Sequence, residues 1–405
     1  MPAGFADEQG KIYNSLSLMR SPSIWPLPGG KMCKVGEPRR PKPVAVDIGW
    51  LPEITPTRGR RCAWESVSMS QVASWAIGGV MIATTMTAPL GCWATTSTTS
   101  SVDPPKFAED AVPKNLTAID LKFDPERALK YLKQVCDIGP RMSGTEGMKK
   151  QQELIEKHFK DHGASVTRQE FQARQRSRRA DTAMANLIIT WHPERNRRVI
   201  VCSHYDTRPI ADQEANPNNW NKPFVSANDG ASGVAWMMEM AHHMKGLKTE
   251  IGVDFVLFDG EEYVFETNRL GGDKYFFGSE YFADEYTKTA ATRKHQYAAA
   301  VLLDLFAAKG TVLRVEQHSW EAAPRICQQI WGTADAIGAK SFRAERGADV
   351  LDDHIALNAA GIPAVDLIDF DYPHWHKLSD TPDKISGEQM AEVAKVLGTW
   401  ISTAK

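Results

Sequence analysis

At 405 residues, with 42% hydrophobic and 24% charged residues, the chain can hold one large α/β domain plus extra segments, or two domains, and its make-up is that of a soluble globular protein. The formal net charge of −2 and the lack of a basic stripe argue against nucleic acid as a partner. Six cysteines, at 33, 62, 92, 136, 202 and 327, show no CxxC spacing, which argues against a cysteine zinc centre and a dense disulfide framework. One disulfide among Cys136, Cys202 and Cys327 stays open, and Cys202 reads most simply as a small core residue.

Residues 1–69 are rich in Pro, Gly, Arg and Ser and carry no sustained period, as expected of a disordered leader or of a start site placed upstream of true initiation near Met69. Residues 70–105 hold an uncharged apolar stretch, Val72 to Ala83, preceded by Arg58, Arg60 and Arg61 and followed by the Thr/Ser-rich run Thr95 to Ser101. Basic flank, short apolar core and small-residue exit resemble an export signal or anchor with a linker, and predict an exported protein, periplasmic or anchored facing the periplasm. That core is short and broken by Thr, which argues against a stable membrane-spanning helix, and contact with a membrane is expected only through this signal or anchor. Residues 106–405 then form the folded domain.

From Pro125 the pattern is globular. Ala128, Leu129, Tyr131, Leu132 and Val135 have helical spacing that stops at Gly139-Pro140. Ser143 to Gly147 opens a second helix, with Leu154, Ile155 and Phe159 as its apolar stripe and Gly163 as its end. Val166–Phe171 and Ala185–Trp191 read as strands, and Val199–Ser203 is the continuous apolar run of a strand covered on both faces. Thr207 to Ser226 is a loop, long enough inside a domain to be functional. A helix at Val234–Met244, strands at Val253–Phe258, Ala300–Leu305 and Ala364–Ile368, and helices near Ala322–Ile337 and Gly387–Thr403 complete the alternation. Strands separated by helices predict an α/β fold in three layers, with a mixed, mostly parallel sheet flanked by helices, and a site at the carboxyl ends of its strands.

The polar groups cluster where that rule puts them. Asp259-Gly260-Glu261-Glu262 follows a buried strand, and a turn at Gly260 would let one Glu bind a metal while the other carries protons. His204-Tyr205-Asp206, Asn228-Asp229, Asp304, Asp352-Asp353-His354 and His374-Trp375-His376 sit at other strand or loop ends. Each has a plainer reading: a bonded core histidine, a helix cap at Asp229, a surface Asp304, a turn at Asp352-Asp353, a core aromatic at Trp375. Jointly, oxygen and nitrogen donors without thiolate suit zinc in a catalytic site with an open position.

These segments in order, with Gly139-Pro140-Arg141 and Gly144-Thr145, resemble the zinc aminopeptidase superfamily that also contains the glutaminyl cyclases, over roughly residues 125–403. The resemblance implies a phosphorylase/hydrolase-like fold. Three features point to its cyclase branch: the long insertion Tyr263 to Phe277 after the Glu pair, the double Asp at Asp352-Asp353, and Trp375 directly before His376. The loop from Asp206-Thr207-Arg208-Pro209 through Pro223-Phe224, together with Asp366, resembles the bacterial cyclases. Two departures from the animal cyclases stand out. Asp366 occupies a position where those enzymes have His, and Phe265, Glu266 and Thr267 stand where they have Trp.

For a cyclase the resemblance implies one zinc on Asp229, Glu262 and His376, with peptide or protein N-termini as substrate. Glu261 then carries protons, Asp304 and Asp352 form an acidic relay, Trp375 and Asp353 contact substrate, and Asp206 holds His204. For an aminopeptidase it implies a second zinc on His204 and Asp304, with Asp229 bridging and Glu261 as base toward water. A non-catalytic domain that kept the fold is the third reading, against which the intact set of side chains weighs.

Overall fold

The computed structural model describes Val112, residues 116–267 and residues 272–404. The leader and export segment read from residues 1–105 lie outside the described residues, as do Cys33, Cys62 and Cys92. Helices α1 (Pro125–Cys136) and α2 (Glu146–Asp161) precede strands β1 (Ser165–Ala173), β2 (Thr182–Trp191) and β3 (Arg197–His204). Then come α3 (Ala231–Met244), β4 (Gly252–Phe258), α4 (Phe277–Lys288), β5 (Gln296–Leu303), β6 (Leu313–Val315), α5 (Gln317–Ala322), α6 (Pro324–Ala336), β7 (Phe342–Arg346), α7 (His354–Ala359), β8 (Ala364–Leu367) and α8 (Gly387–Thr403).

The main sheet has the order β1-β2-β4-β3-β5-β8. β4, β3, β5 and β8 run parallel, while β2 is antiparallel to both β1 and β4. Alternation along each central strand splits the core in two. Val199, Val201, Phe255, Leu257, Val301 and Leu303 pack under α1, α2, α3 and α8. Ile200, Cys202, Val256, Phe258, Ala300 and Leu302 pack on the other face with Phe282 and Tyr286 of α4 and Leu357 of α7. These strand side chains are almost wholly buried, and each full burial of such a side chain contributes roughly 1.5–3 kcal/mol. The sequence reading of both faces as covered, and of a mixed three-layer α/β fold, agrees with this.

Three details differ from expectation. The helix expected near Ala322–Ile337 is α6, but an unexpected short helix, α5, precedes it. The two are separate because Pro324 lacks the N–H that would continue α5 and instead starts α6 at its first position. β5 begins earlier, at Gln296, and stops at Leu303, so Asp304 lies just past the strand. α4, α7 and the β6–β7 pair were not expected. The last two are too short for a periodic signal, and α4 follows directly on the irregular insertion. Cys136, Cys202 and Cys327 are all free and buried, so the disulfide left open by the sequence does not form among them. Among the described residues no helix is long and apolar enough to cross a membrane.

Candidate metal and catalytic site

The parallel register pairs His204, the last residue of β3, with Phe258, the last of β4. Asp206 therefore comes alongside the turn that follows β4. Its two carboxylate oxygens accept the backbone N–H groups of Glu261 and Glu262, each at 3.1 Å, and the same carboxylate faces Nδ1 of His204 at 3.6 Å. The turn needs Gly260: φ is +73°, and a Cβ there would meet Sδ of Met184 at 2.6 Å. Asp259 faces inward instead, accepting bonds from Oγ of Ser143 at 2.6 Å and the N–H of Ala185 at 2.9 Å. Burial, reinforced by Asp206, raises its carboxyl to about 7.

Asp229 is held from the opposite side. Asp380 accepts the N–H groups of Asn228 at 3.0 Å and Asp229 at 3.3 Å, and Tyr372 donates its hydroxyl to Asp380 at 2.7 Å. The plainer reading of Asp229 as a helix cap fails, because the residue capping α3 is Gly230, with no side-chain bond. A Cβ on Gly230 would stand 2.9 Å from both the Asp206 carbonyl and Cε1 of His204.

Asp229 thus sits between two imidazoles. Its Oδ1 lies 3.0 Å from Nε2 of His204, and its Oδ2 lies 3.7 Å from Nε2 of His376. Asp304 approaches Nε2 of His204 at 3.4 Å, and Glu262 contacts Nε2 of His376. The structure brings together all five expected ligands, Asp229, Glu262, His376, His204 and Asp304. One donor atom each from His204, Asp229 and Glu262 lies within 4.8 Å of the others. Both nitrogens of His204, Oδ2 of Asp229, Oε2 of Glu262 and Nδ1 of His376 are buried without an aligned hydrogen bond. Buried polar atoms are ordinarily bonded, so convergent nitrogen and oxygen lone pairs left this way fit a divalent ion of the zinc class.

The electrostatics divide the site. Burial opposes charge on His204 and His376, but neighbouring carboxylates win: His204 is raised well above its ordinary value and His376 to about 9. Burial and then Glu262 hold the Glu261 carboxyl well above the carboxylate range. Burial, then neighbouring carboxylates, does the same for Asp352 and Asp366, and burial also raises Asp304. The side chains of Asp304 and Glu261 are 13% and 11% exposed, against 2–5% for His204, Asp229, Glu262 and His376. Glu261 and Asp304 are thus the more exposed members of the cluster, and His204, Asp229, Glu262 and His376 the more deeply buried ones.

Asp353 has no accessible surface, so the substrate contact expected of it does not fit this arrangement. Trp375 is half-buried, tilted against the ring of His376 at 4.0 Å between centroids and packed beside Phe370 at 4.9 Å. Phe265 lies under the Arg178 guanidinium at 3.4 Å. Among the described residues, three of the five non-glycine residues with positive φ sit at the site, Ser226, Leu305 and His376, the kind of strain that a surrounding structure must hold.

Sequence reading missed the supports. Asp212 lies 3.1 Å from Nδ1 of His376, and Arg208 donates to Asp212 at 3.0 and 2.9 Å and to the Tyr275 hydroxyl at 2.9 Å. The loop Thr207 to Ser226 reads as functional, and a carboxylate and an arginine four apart within it were the available signal. Asp380 in Ser379-Asp380-Thr381-Pro382 reads only as a turn. Glu316 accepts the N–H groups of His318, Ser319 and Val350 and faces Nε2 of His354 at 3.2 Å, which fixes the segment carrying Asp352.

Comparison with known proteins agrees with the motif resemblance. The profile of Peptidase family M28 matches residues 186–401. A crystal structure of Fimbriiglobus ruber glutaminyl cyclase is 59% identical, covering 72% of this chain and 99% of that one, with a TM-score of 0.71. A leucine aminopeptidase precursor from Bacteroides thetaiotaomicron is 29% identical over 71% of this chain and 100% of that one, with a TM-score of 0.66. The glutaminyl-peptide cyclotransferase of Boiga irregularis is 25% identical over 245 residues, 54% of this chain, and the match spans 64% of that protein's length. The chain belongs to peptidase family M28.

Proposed function

We propose that this protein is a zinc-dependent glutaminyl-peptide cyclotransferase that converts an N-terminal glutamine of peptides to pyroglutamate and releases ammonia. The observation that carries this reading is the 59% identity to a solved glutaminyl cyclase across nearly the whole of that chain. The site supports it: a donor set for one ion on Asp229, Glu262 and His376 lies beside Glu261, whose affinity for a proton is raised by burial and by Glu262.

A zinc ion on those three residues would supply Lewis acidity toward the γ-carboxamide carbonyl. The remaining work falls to the chain. The substrate's α-amine nitrogen forms the new bond to the γ-carboxamide carbon, and the bond from that carbon to the amide nitrogen breaks. Glu261 accepts the α-amine proton and returns it to the departing nitrogen, which leaves as ammonia. A carboxyl that burial and Glu262 raise above its ordinary value suits such two-way transfer. Asp304 and Asp352, crowded acids whose carboxyls burial raises, form an acidic pair that relays protons or orients the amide. Trp375 offers its indole face to the glutamine chain, and Asp206 fixes Glu261, Glu262 and His204 together.

A second reading is supported by a specific observation. His204 and Asp304 also converge on Asp229, which offers a second ion a place, and an aminopeptidase precursor shares the fold. With two ions, Glu261 would act as base toward water and a peptide bond would be cut. Purified protein is assayed with a glutaminyl peptide and with leucine anilide, and its metal is counted. Ammonia release with about one zinc per chain supports the cyclase; leucine anilide cleavage with about two overturns it. Export directed by residues 70–105 is part of the same proposal, checked by sequencing the N-terminus of the protein recovered from the periplasm.

A further inference from the structure

At the far end of α3 lies a second cluster of nitrogen donors. His158 on α2, His162 just past the end of α2, and His242 near the end of α3 each offer one donor atom within 4.8 Å of the other two. Ring centroids are 4.3 Å apart for His158–His162 and for His162–His242. His242 stands 11 positions along α3 from Ala231, roughly 17 Å at 1.5 Å per residue, so this cluster is separate from the catalytic site.

We propose that His158, His162 and His242 form a peripheral site for one zinc-, nickel- or copper-class divalent ion. The pattern of hydrogen bonds is what such ligands need. Nε2 of His158 donates to the carbonyl of Met238 at 2.8 Å, and Nδ1 of His162 donates to the carbonyl of His158 at 2.8 Å. Nε2 of His242 is bonded to the Tyr131 hydroxyl, also at 2.8 Å. In each ring one nitrogen is fixed by the protein, which sets the ring's orientation and leaves the other nitrogen for a ligand, the arrangement that supports metal-binding histidines. His158 and His162 are four apart, so one helical turn presents both on one face.

Three imidazoles without a carboxylate select late first-row ions over magnesium or calcium. Zinc bonded to nitrogen at about 2.1 Å would hold the three donors about 3.4 Å apart, so the rings need close by no more than about 1.4 Å. The nearby Arg127 does not repel the ion strongly, because its guanidinium is paired with the buried Glu239 at 2.6 Å. His242 is exposed, so the site opens to solvent and keeps a coordination position free. An ion there would tie the end of α2 to the end of α3.

The test uses the full chain without a polyhistidine tag, stripped of metal with a chelator. Nickel binding is measured by calorimetry for the wild type and for His162→Gln and His242→Gln. The wild type should bind one equivalent more than either variant and gain thermal stability with nickel that the variants lack, while magnesium does neither. Turnover of the zinc-loaded enzyme should be the same in all three. Equal nickel stoichiometry in all three overturns the proposal. Independently of any variant, the zinc-loaded wild type is given one equivalent of copper(II) and its electron paramagnetic resonance is recorded. Nitrogen splitting from several imidazoles is expected, and a spectrum of unbound copper overturns the site.

Discussion

Asp212 lies 3.1 Å from Nδ1 of His376, while Glu262 meets Nε2 on the other side of the same ring. Burial works against charge on Asp212, but His376 and Arg208 hold its carboxyl down at about 2. The imidazole is therefore oriented by a carboxylate that is itself oriented by an arginine. Asp212→Asn should weaken zinc affinity about 10- to 100-fold with the fold intact. Competition with a chromophoric chelator measures it, and excess zinc should restore most of the turnover. A change of less than about threefold in affinity would mean that His376 needs no such partner.

Glu261→Gln should lower kcat by about 10²- to 10⁴-fold and leave the metal content as it was, since Glu261 is assigned to proton transfer and not to the ion. Steady-state kinetics on a glutaminyl peptide, with zinc counted by elemental analysis, decides this. Turnover close to that of the wild type would remove Glu261 from its role.

Trp375→Ala should raise KM for glutaminyl peptides about tenfold, roughly 1.4 kcal/mol, with a much smaller change in kcat. Because the indole also lies against His376, zinc content must be measured alongside. A loss of zinc with unchanged KM would show the indole to be a support for the ligand and not a substrate surface.

Glu316 gives a pH prediction away from the donor set. Burial opposes its charge, but His354 and the N–H groups of Ser319 and His318 bring its carboxyl from 4.5 to about 2. A carboxyl whose folded value is depressed stabilises the fold above its unfolded value and loses that contribution as pH falls toward the folded one. The wild type should thus lose on the order of 2–3 kcal/mol from this group between about pH 4.5 and pH 2. Glu316→Gln should be less stable at pH 7 and should show a shallower fall in urea midpoint across that window. Parallel acid curves for the two proteins would refute it.

The sheet was legible because its strands announce themselves locally. Val199 to Ser203 has no polar residue before Ser203 and is covered on both faces, and the helix expected at Gly387–Thr403 has those bounds in the structure. The candidate donors were legible as a cluster because strand ends are where an α/β sheet gathers chemistry, and two adjacent glutamates after a buried strand are costly to keep unless an ion or a moving proton uses them. The supports were not. Asp212 and Asp380 act through space on residues more than 150 positions away; Asp212 is marked only by Arg208 four positions before it in the loop, and Asp380 reads only as part of a turn. Asp353 misled for a related reason: two adjacent acids read alike in sequence, yet the start of α7 turns one of them fully inward.

One carboxylate, that of Asp206, fastens the Glu261–Glu262 backbone to the neighbouring strand before the chain runs on into the stretch from Tyr263 to Phe277. The glutamates are thereby anchored upstream, and whatever follows them hangs from a fixed point. Segments of different length and make-up can be spliced in after Glu262 with the reacting groups still in register, so a change of substrate can evolve, or be engineered, there at little risk to the chemistry.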